Sequence, residues 1–547
     1  MRKYLRVTTW LLAAVMLLAA GCTGSKAPTT PAPSTPTTPA QPEVQKGPNG
    51  ELYGGTYRIA IMEEPPIIDP QLDTTLLIYN MARNVFSTLV RYKPGSLELE
   101  PELVAEMPKA DADNKTYHFK LRNDVTFHNG NKVTAKDVKA TFERMMTPAT
   151  KAQNTWVLEE IEGAKAMLEG KATEMSGIKI KDDLNFDIIL ARPFGPFLQN
   201  LATAPASIFP ADVIKEKGAQ FGRAPIGSGP FKVAKWDANQ QLVFEKNPSY
   251  FEKGLPYLDK IEYRVIPEEA TRWMEFEKGT FDEGEPPTAE FISAKTGGKY
   301  QFIEYTTLNT FYISFNVKFF PDKRVREAVS LAIDRAKLLK TVWNDQGKVA
   351  KQFVTPGIPG ALANPPEFKY DPAKAKDLLK EAGATNLKIE AWQRGTDKVT
   401  DLNLAIQQML ADVGINYEVK MVDRATFSST RSQGNIPANQ GNWFADYPDP
   451  DNYLYTYFHS VQGCSMSVCL GDKDVDKVLE EARALADQAK RQKMYQDLET
   501  KLVLQDYVIV PLLHQTGYIF VQKWIHGVKG HPTEVEGSKL VWKDAGK

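Results

Sequence analysis

Tyr117-His-Phe-Lys-Leu-Arg-Asn-Asp-Val-Thr-Phe-His-Asn-Gly130 runs on into Val133-Thr-Ala-Lys-Asp-Val138. From Tyr117 to Arg122, apolar and polar residues alternate, the period of a half-buried strand. Thr134 then opens a helical pattern to Arg144, with Asp137 three residues on as the acid of a capping signal. This strand-then-helix order recurs outward in both directions. Upstream, Tyr57, Ile59 and Ile61 alternate as a strand, Glu64-Pro-Pro-Ile-Ile-Asp-Pro70 forces a turn, and Asn80 to Leu89 has helical spacing. Downstream come strands at Phe186–Leu190, Leu242–Glu245 and Ile261–Ile266. Further on, a strand is expected at Phe311–Asn316 and a helix over Val325–Leu339, whose Val325, Val329, Ala332, Ile333 and Ala336 share one face. Pro372–Ala382 is a helix with Pro at its start and Gly383 past its end. Strands at Leu387–Trp392 and Tyr417–Met421 flank a helix over Leu402–Val413. One long helix is expected over Val475–Gln505, then strands at Val508–Leu513 and Tyr518–Val521. Mixed strands and helices throughout give an α/β class with mixed sheets and no internal repeat.

The chain has 547 residues, 42% hydrophobic and 25% charged, with a net charge of −1. That is the composition of a globular protein, and its near-neutral charge offers no basic field for nucleic acid. The roughly 500 residues after Gly50 exceed what one hydrophobic core holds, so two or more lobes are expected.

The N-terminus reads differently. Arg2, Lys3 and Arg6 precede an apolar run from Trp10 to Ala20 that closes in Leu18-Ala-Ala-Gly-Cys22. This is the layout of a secretory signal, and the run is shorter than the roughly 20 residues a spanning helix needs. The ending resembles a bacterial lipobox, in which Cys22 would become the lipidated first residue; ordinary signal cleavage is the alternative. The Thr, Pro, Ala and Ser tract from Thr23 to about Gly50 reads as an extended, solvated spacer. The protein is expected on the extracytoplasmic side of the cell membrane, held at its N-terminus.

Two further cysteines, Cys464 and Cys469, are close together, and in an oxidising compartment they read as a disulfide closing a small loop. Two thiols with no nearby His make at best half of a metal site. The six histidines are scattered; His118 and His128 sit in strand-like segments, where buried or satisfied rings are the expectation. Asp446, Asp449 and Asp451 do not match the calcium-loop spacing. No nucleophile elbow, His-Glu-x-x-His or phosphate loop occurs. The expectation is a binding protein rather than an enzyme, with no catalytic residue, cofactor or metal site.

Several ordered segments resemble the bacterial family 5 extracellular solute-binding proteins, the peptide and nickel receptors of ABC importers. They are Asn84–Tyr92, Leu99–Glu106, Tyr117–Val138, Pro225-Ile-Gly-Ser-Gly-Pro-Phe231, Lys246–Phe251, Leu255–Ile261, Asp322–Val329 and Ala445-Asp-Tyr-Pro-Asp-Pro-Asp-Asn452. The resemblance implies a periplasmic-binding-protein-like fold of type II, the large class with an extra subdomain, with two lobes joined by a hinge. Its expected layout is a signal over 1–22, a linker over 23–50, a first lobe over 51–304 with the subdomain at roughly 90–212, a second lobe over 305–508, and a return over 509–547. The crossings fall near Tyr305 and Val508. Gly227-Ser-Gly229 becomes a structural turn.

The resemblance also implies ligand residues. Asp446 in Trp443-Phe-Ala-Asp446 would pair with a peptide's α-ammonium, and the prolines at 448 and 450 stiffen the loop that follows. Arg394 in Trp392-Gln-Arg-Gly395 would meet the ligand's carboxylate, a task that suits a guanidinium fork; the aromatic that often follows is absent, and a plain surface Arg is the alternative. Trp443 is either an apolar wall of the site or a core residue. Tyr312 and Asn316 are either liners or packing. Glu64 to Asp69 would form part of the opposing lobe's edge. The expected activity is capture of short peptides by a monomer that docks on an ABC permease. A receptor for nickel chelate, oligosaccharide or another small solute on the same fold is the alternative.

Overall fold

The computed structural model describes residues 45–395 and 400–547. The signal segment, Cys22 and the Thr/Pro-rich stretch to Val44 lie outside the described residues. Contact with the body begins before Gly50: Lys46 bridges Leu52, and the Gly47 N–H donates to the Glu51 carbonyl at 2.7 Å. Among the described residues no helix is long and apolar enough to cross a membrane.

Most elements follow the sequence pattern. The strand Thr116–Lys120 pairs antiparallel with Asn185–Ile189, which pairs with Ile178–Ile180. The helix Ala135–Met146 packs Val138, Phe142, Met145 and Met146 against this small sheet. Its start is held as expected, the Thr134 N–H donating to Asp137 Oδ2 at 2.8 Å. These residues belong to one core built mostly from Leu89 to Ile208, which Tyr250, Phe251 and Tyr447 complete. His118 is exposed, its ring bonded to Asp187 at 2.6 Å and Asp111 at 3.2 Å. His128 is engaged by the turn of Gly227 and Gly229. That turn lies against the backbone of Asn84 and Val85; a Cβ on Gly227 would sit 2.0 Å from the Val85 carbonyl oxygen.

Two helical expectations break at aspartates. The segment read as Val325–Leu339 is two helices, Lys323–Ala332 and Arg335–Thr341, because Asp334 accepts the Lys337 N–H at 2.9 Å and starts a new one. The segment read as Val475–Gln505 divides into Lys473–Ala484 and Gln488–Glu499, with Asp487 capping the second and a wider-wound turn over Thr500–Gln505.

An eleven-stranded mixed sheet organises the molecule. Its order is 416–422, 388–394, 438–444, 301–315, 509–521, 283–284, 56–61, 260–265, 241–246 and 231–237, with 348–349 beside 509–521. The two long strands Gln301–Phe315 and Ile509–Val521 run antiparallel through the middle. The first was expected only as the shorter Phe311–Asn316, and the second as two pieces, Val508–Leu513 and Tyr518–Val521. Their pairing slips between Thr306 and Thr310, and again at Tyr312 opposite Pro511, where a proline in a central strand needs an irregular ladder.

At this slip the chain changes core. Ile303 packs with Tyr57, Phe86, Phe244 and Ile261 of the first lobe, whereas Leu308 and Tyr312 pack with Phe353, Tyr453 and Leu479 of the second. On the return strand Val510, Leu512 and Leu513 still belong to the second lobe, and Ile519 and Val521 to the first. The return crossing therefore lies between Leu513 and Ile519, later than Val508, because residues 508–513 are buried in second-lobe cores. Gly517 permits the crossing to close up: a Cβ there would meet the Tyr305 ring at 2.3 Å.

Candidate ligand-binding cleft

A cavity of about 620 Å³ opens between the lobes, a size suited to a small organic ligand. Its first-lobe wall carries Tyr79, Arg83, Tyr92, Asn154 and Trp156, with His531 and Glu536 from the C-terminal stretch. Its second-lobe wall carries Arg394, Phe444, Ala445 and Asp446. Arg394 ends the strand Lys388–Arg394, and Phe444 ends the neighbouring parallel strand Ala438–Phe444. Two strand ends, far apart in sequence, thus deliver the expected Arg394 and Asp446 to one cavity.

The loop after Phe444 carries three aspartates with different fates. Asp449 is buried and forked by Arg491, both contacts at 2.7 Å. Asp451 is buried and receives Arg483 at 3.0 and 2.7 Å, Tyr447 at 2.7 Å and Tyr495 at 2.9 Å. Asp446 has no such cation among the described residues; its carboxylate is bonded only to Asn452 Nδ2, at 3.4 Å. It is open to cleft solvent yet set deep among protein atoms, and that desolvation raises its pKa above the ordinary aspartate value, the Asn452 bond opposing it. Its charge is felt across the cleft, where it adds to the burial that raises the Tyr79 hydroxyl pKa.

Asn452 holds this acid in place. Its Oδ1 accepts the Asp446 N–H and the Trp443 indole N–H, each at 3.1 Å. Trp443 packs edge-on to Tyr457, with centroids 5.4 Å apart, at the margin of the second-lobe core. It supports the Asp446 loop from behind and does not form a cleft wall. Tyr312 is buried, its hydroxyl bonded to that of Tyr457 at 2.6 Å. Asn316 is buried and donates to the carbonyls of Gly434 and Ile436 at 3.0 and 3.1 Å. Both are packing residues, because their side chains turn into the second lobe and find all their partners there. Glu64 is tied to Arg223, Trp236 and Asn239, and Asp69 to Arg144, so neither faces the cleft.

On the facing wall Asn154 Nδ2 donates to the Tyr79 hydroxyl, and Trp156 Nε1 donates to Asn154 Oδ1 at 3.2 Å. Trp156 in turn lies 5.7 Å from the Tyr447 ring, which also meets Phe194 at 6.3 Å. Tyr447, next to Asp446, is thereby inserted from the second lobe into the core of the first-lobe subdomain. His531 has both ring nitrogens occupied, by Thr533 and by the Ser96 carbonyl, each at 2.7 Å, and burial lowers its pKa to about 4. Sequence reading missed Tyr79, Asn154, Trp156 and the 531–536 stretch; Asn452 stood inside a quoted motif without a role. Cys464 and Cys469 form the expected disulfide. Among the described residues no group of three or more His, Cys, Asp or Glu is arranged to hold a metal ion.

Comparison with known proteins places these observations. The model for "Bacterial extracellular solute-binding proteins, family 5 Middle" matches residues 98–464. Heme-binding protein A of Haemophilus influenzae is 27% identical over 96% of this chain and 97% of its own length. The dipeptide-binding protein of Escherichia coli K12 is 28% identical over 85% of this chain and 90% of its own. Among solved structures, the periplasmic binding protein DppA of Helicobacter pylori in complex with peptide STSA superposes with a TM-score of 0.70, at 26% identity, over 90% of this chain and 98% of that one.

Proposed function

Because the chain belongs to the bacterial extracellular solute-binding proteins of family 5, we propose that it captures short peptides between its lobes and hands them to an ABC permease. One observation carries this reading. Of three acids on the Asp446 loop, two are neutralised by buried arginines and the third faces the inter-lobe cavity without a cation among the described residues. A partly desolvated carboxylate is costly unless paired, and a peptide's α-ammonium supplies the pair. Arg394, on the same wall, supports recognition of the carboxylate at the other end.

The lobes close by rotation about the two central strands, where the pairing slip lies. A ligand that touches Asp446 on one lobe and Tyr79 or Trp156 on the other favours the closed form; contact with one lobe alone does not shift the equilibrium. A micromolar dissociation constant corresponds to about −8.2 kcal/mol, within reach of two end-charge contacts and backbone pairing. The protein acts outside the cytoplasm. It is anchored through lipid on Cys22, which the Thr/Pro-rich stretch separates in sequence from the binding body.

Calorimetry with paired free and N-acetylated peptides tests the reading. The free amine is expected to bind about tenfold tighter or more. Equal binding of both would remove Asp446 as the ammonium site.

A further inference from the structure

A second cavity, of about 380 Å³, also lies between the lobes. Glu283 and Glu285 enter it from the first lobe, Trp343 from the second, and Tyr305 and Glu534 from the crossing and the C-terminal stretch. A smaller cavity lies next to both, sharing Glu283, Tyr305 and Glu534 with this one and His531 and Glu536 with the ligand cleft.

Glu283 and Glu534 are half-buried, and Glu285 is exposed at the cavity's edge. Glu283 sits on a two-residue strand clamped between Ile59 on one side and Val521 and Phe520 on the other, so its side chain has a fixed origin. Its Oε2 accepts the Tyr57 hydroxyl at 2.5 Å, while its Oε1 has no protein partner among the described residues. No lysine or arginine among the described residues pairs with Glu283 or Glu534, and burial raises the pKa of both. Arg272 also lines the cavity, its Nη1 donating to the carbonyls of Ile266 and Pro267 at 2.9 and 2.7 Å. The remaining wall is mixed: the polar Gln346, Gln515 and Thr516 stand beside the aromatic rings of Tyr305 and of Trp343, which meets Phe311 edge-on at 5.3 Å.

We propose that this second cavity takes the cationic side chain, lysine or arginine, of a peptide whose amino end is held at Asp446. The inference rests on reading the main cleft as a peptide site. Carboxylates match the charge and the fork of a guanidinium, and the faces of Tyr305 and Trp343 suit its flat cation. Because walls of both lobes line the cavity, the same side chain would also favour closure.

The test uses alanine tri- and tetrapeptides carrying arginine or its neutral isostere citrulline at each position in turn, titrated by calorimetry. At one position arginine is expected to bind about tenfold tighter or more than citrulline, with that ratio falling toward one in Glu534→Gln and in Glu285→Gln. Equal affinities at every position, or a ratio unchanged in both variants, overturn the proposal while leaving the peptide reading standing. If no peptide in the set binds, the peptide reading itself fails. Agmatine, which carries the guanidinium without a peptide, then decides the cavity: a thermal shift in the wild type that Glu534→Gln abolishes supports a cation subsite, and no shift in the wild type overturns it.

Discussion

Asn452 grips Asp446 at two points, taking its backbone N–H on Oδ1 at 3.1 Å and reaching its carboxylate with Nδ2 at 3.4 Å. The same Oδ1 accepts the indole N–H of Trp443. A carboxylate with no cation among the described residues is thus held ready by a neutral amide that is itself fixed against the second-lobe core. Orientation is settled before a ligand arrives, so less of the binding free energy goes into ordering the loop.

Asp446→Asn is expected to weaken peptide binding by about 1.5–3 kcal/mol, the range for a charged hydrogen bond. Its melting temperature should be unchanged or slightly higher without ligand, since the substitution removes a desolvated charge that has no ion pair among the described residues. Calorimetry and thermal melts on the same sample check both, and normal affinity would remove the assignment.

Binding should also fall on acidification. The free protein's Asp446 titrates above the ordinary aspartate value of about 3.9, and only its ionised form pairs with an ammonium. Affinity is full above that raised pKa and declines as pH drops through it, before ordinary aspartates protonate. Titrations from neutral to mildly acid pH should show this decline in the wild type and a flat profile in Asp446→Asn.

Asn452→Leu tests positioning. The substitution strands the Trp443 and Asp446 N–H groups, at about 1–3 kcal/mol for each buried group left unsatisfied. Stability should fall, and peptide affinity should fall with it although Asp446 is intact. A variant that folds and binds as the wild type does would show that the loop holds its shape without Asn452.

Asp451→Ala should be far more damaging to stability than Asp446→Asn. It leaves Arg483 buried without its partner, a change that costs about 3–5 kcal/mol. Asp451's pKa is lowered: burial alone would raise it, but Arg483 more than offsets that. Its contribution is therefore present above the unfolded aspartate pKa and is lost only as pH falls through the lower folded value. Denaturant melts near neutral pH should show the full loss.

Glu499 gives the opposite pH sign. Burial raises it to about 7, although its Oε1 accepts the Phe353 and Val354 N–H groups at 2.7 and 2.8 Å. Between the unfolded and folded pKa values the native state holds the extra proton, so stability falls as pH rises through that window and is level above it. Glu499→Gln keeps an acceptor without the charge, and should stabilise the protein above pH 7 by on the order of 1–3 kcal/mol, with little gain near pH 5. Equal effects at both pH values would contradict this.

The strands and the Thr134 cap were legible because they are written in local periodicity and one side-chain bond. The helix breaks at Asp334 and Asp487 were not, since an aspartate on an exposed helix face and one that starts a new helix look alike until its N–H partner is known. Arg394 and Asp446 were legible through family-like segments, and the structure brings them to one cavity. Tyr312 and Asn316 show the limit of that reading: nearness to a crossing does not say which way a side chain turns, and both turn inward. Tyr79, Asn154 and Trp156 carry no sequence signal at all, because they become a wall only when the first lobe is assembled.

Native mass spectrometry of protein purified without denaturation and reloaded with a mixed-peptide library, with the released molecules sequenced, tests the central claim most directly. The account predicts short peptides with free amino termini, retained by the wild type and lost from Asp446→Asn. Retention of heme, a metal chelate or a sugar instead, or failure to retain any peptide from the library, would contradict it.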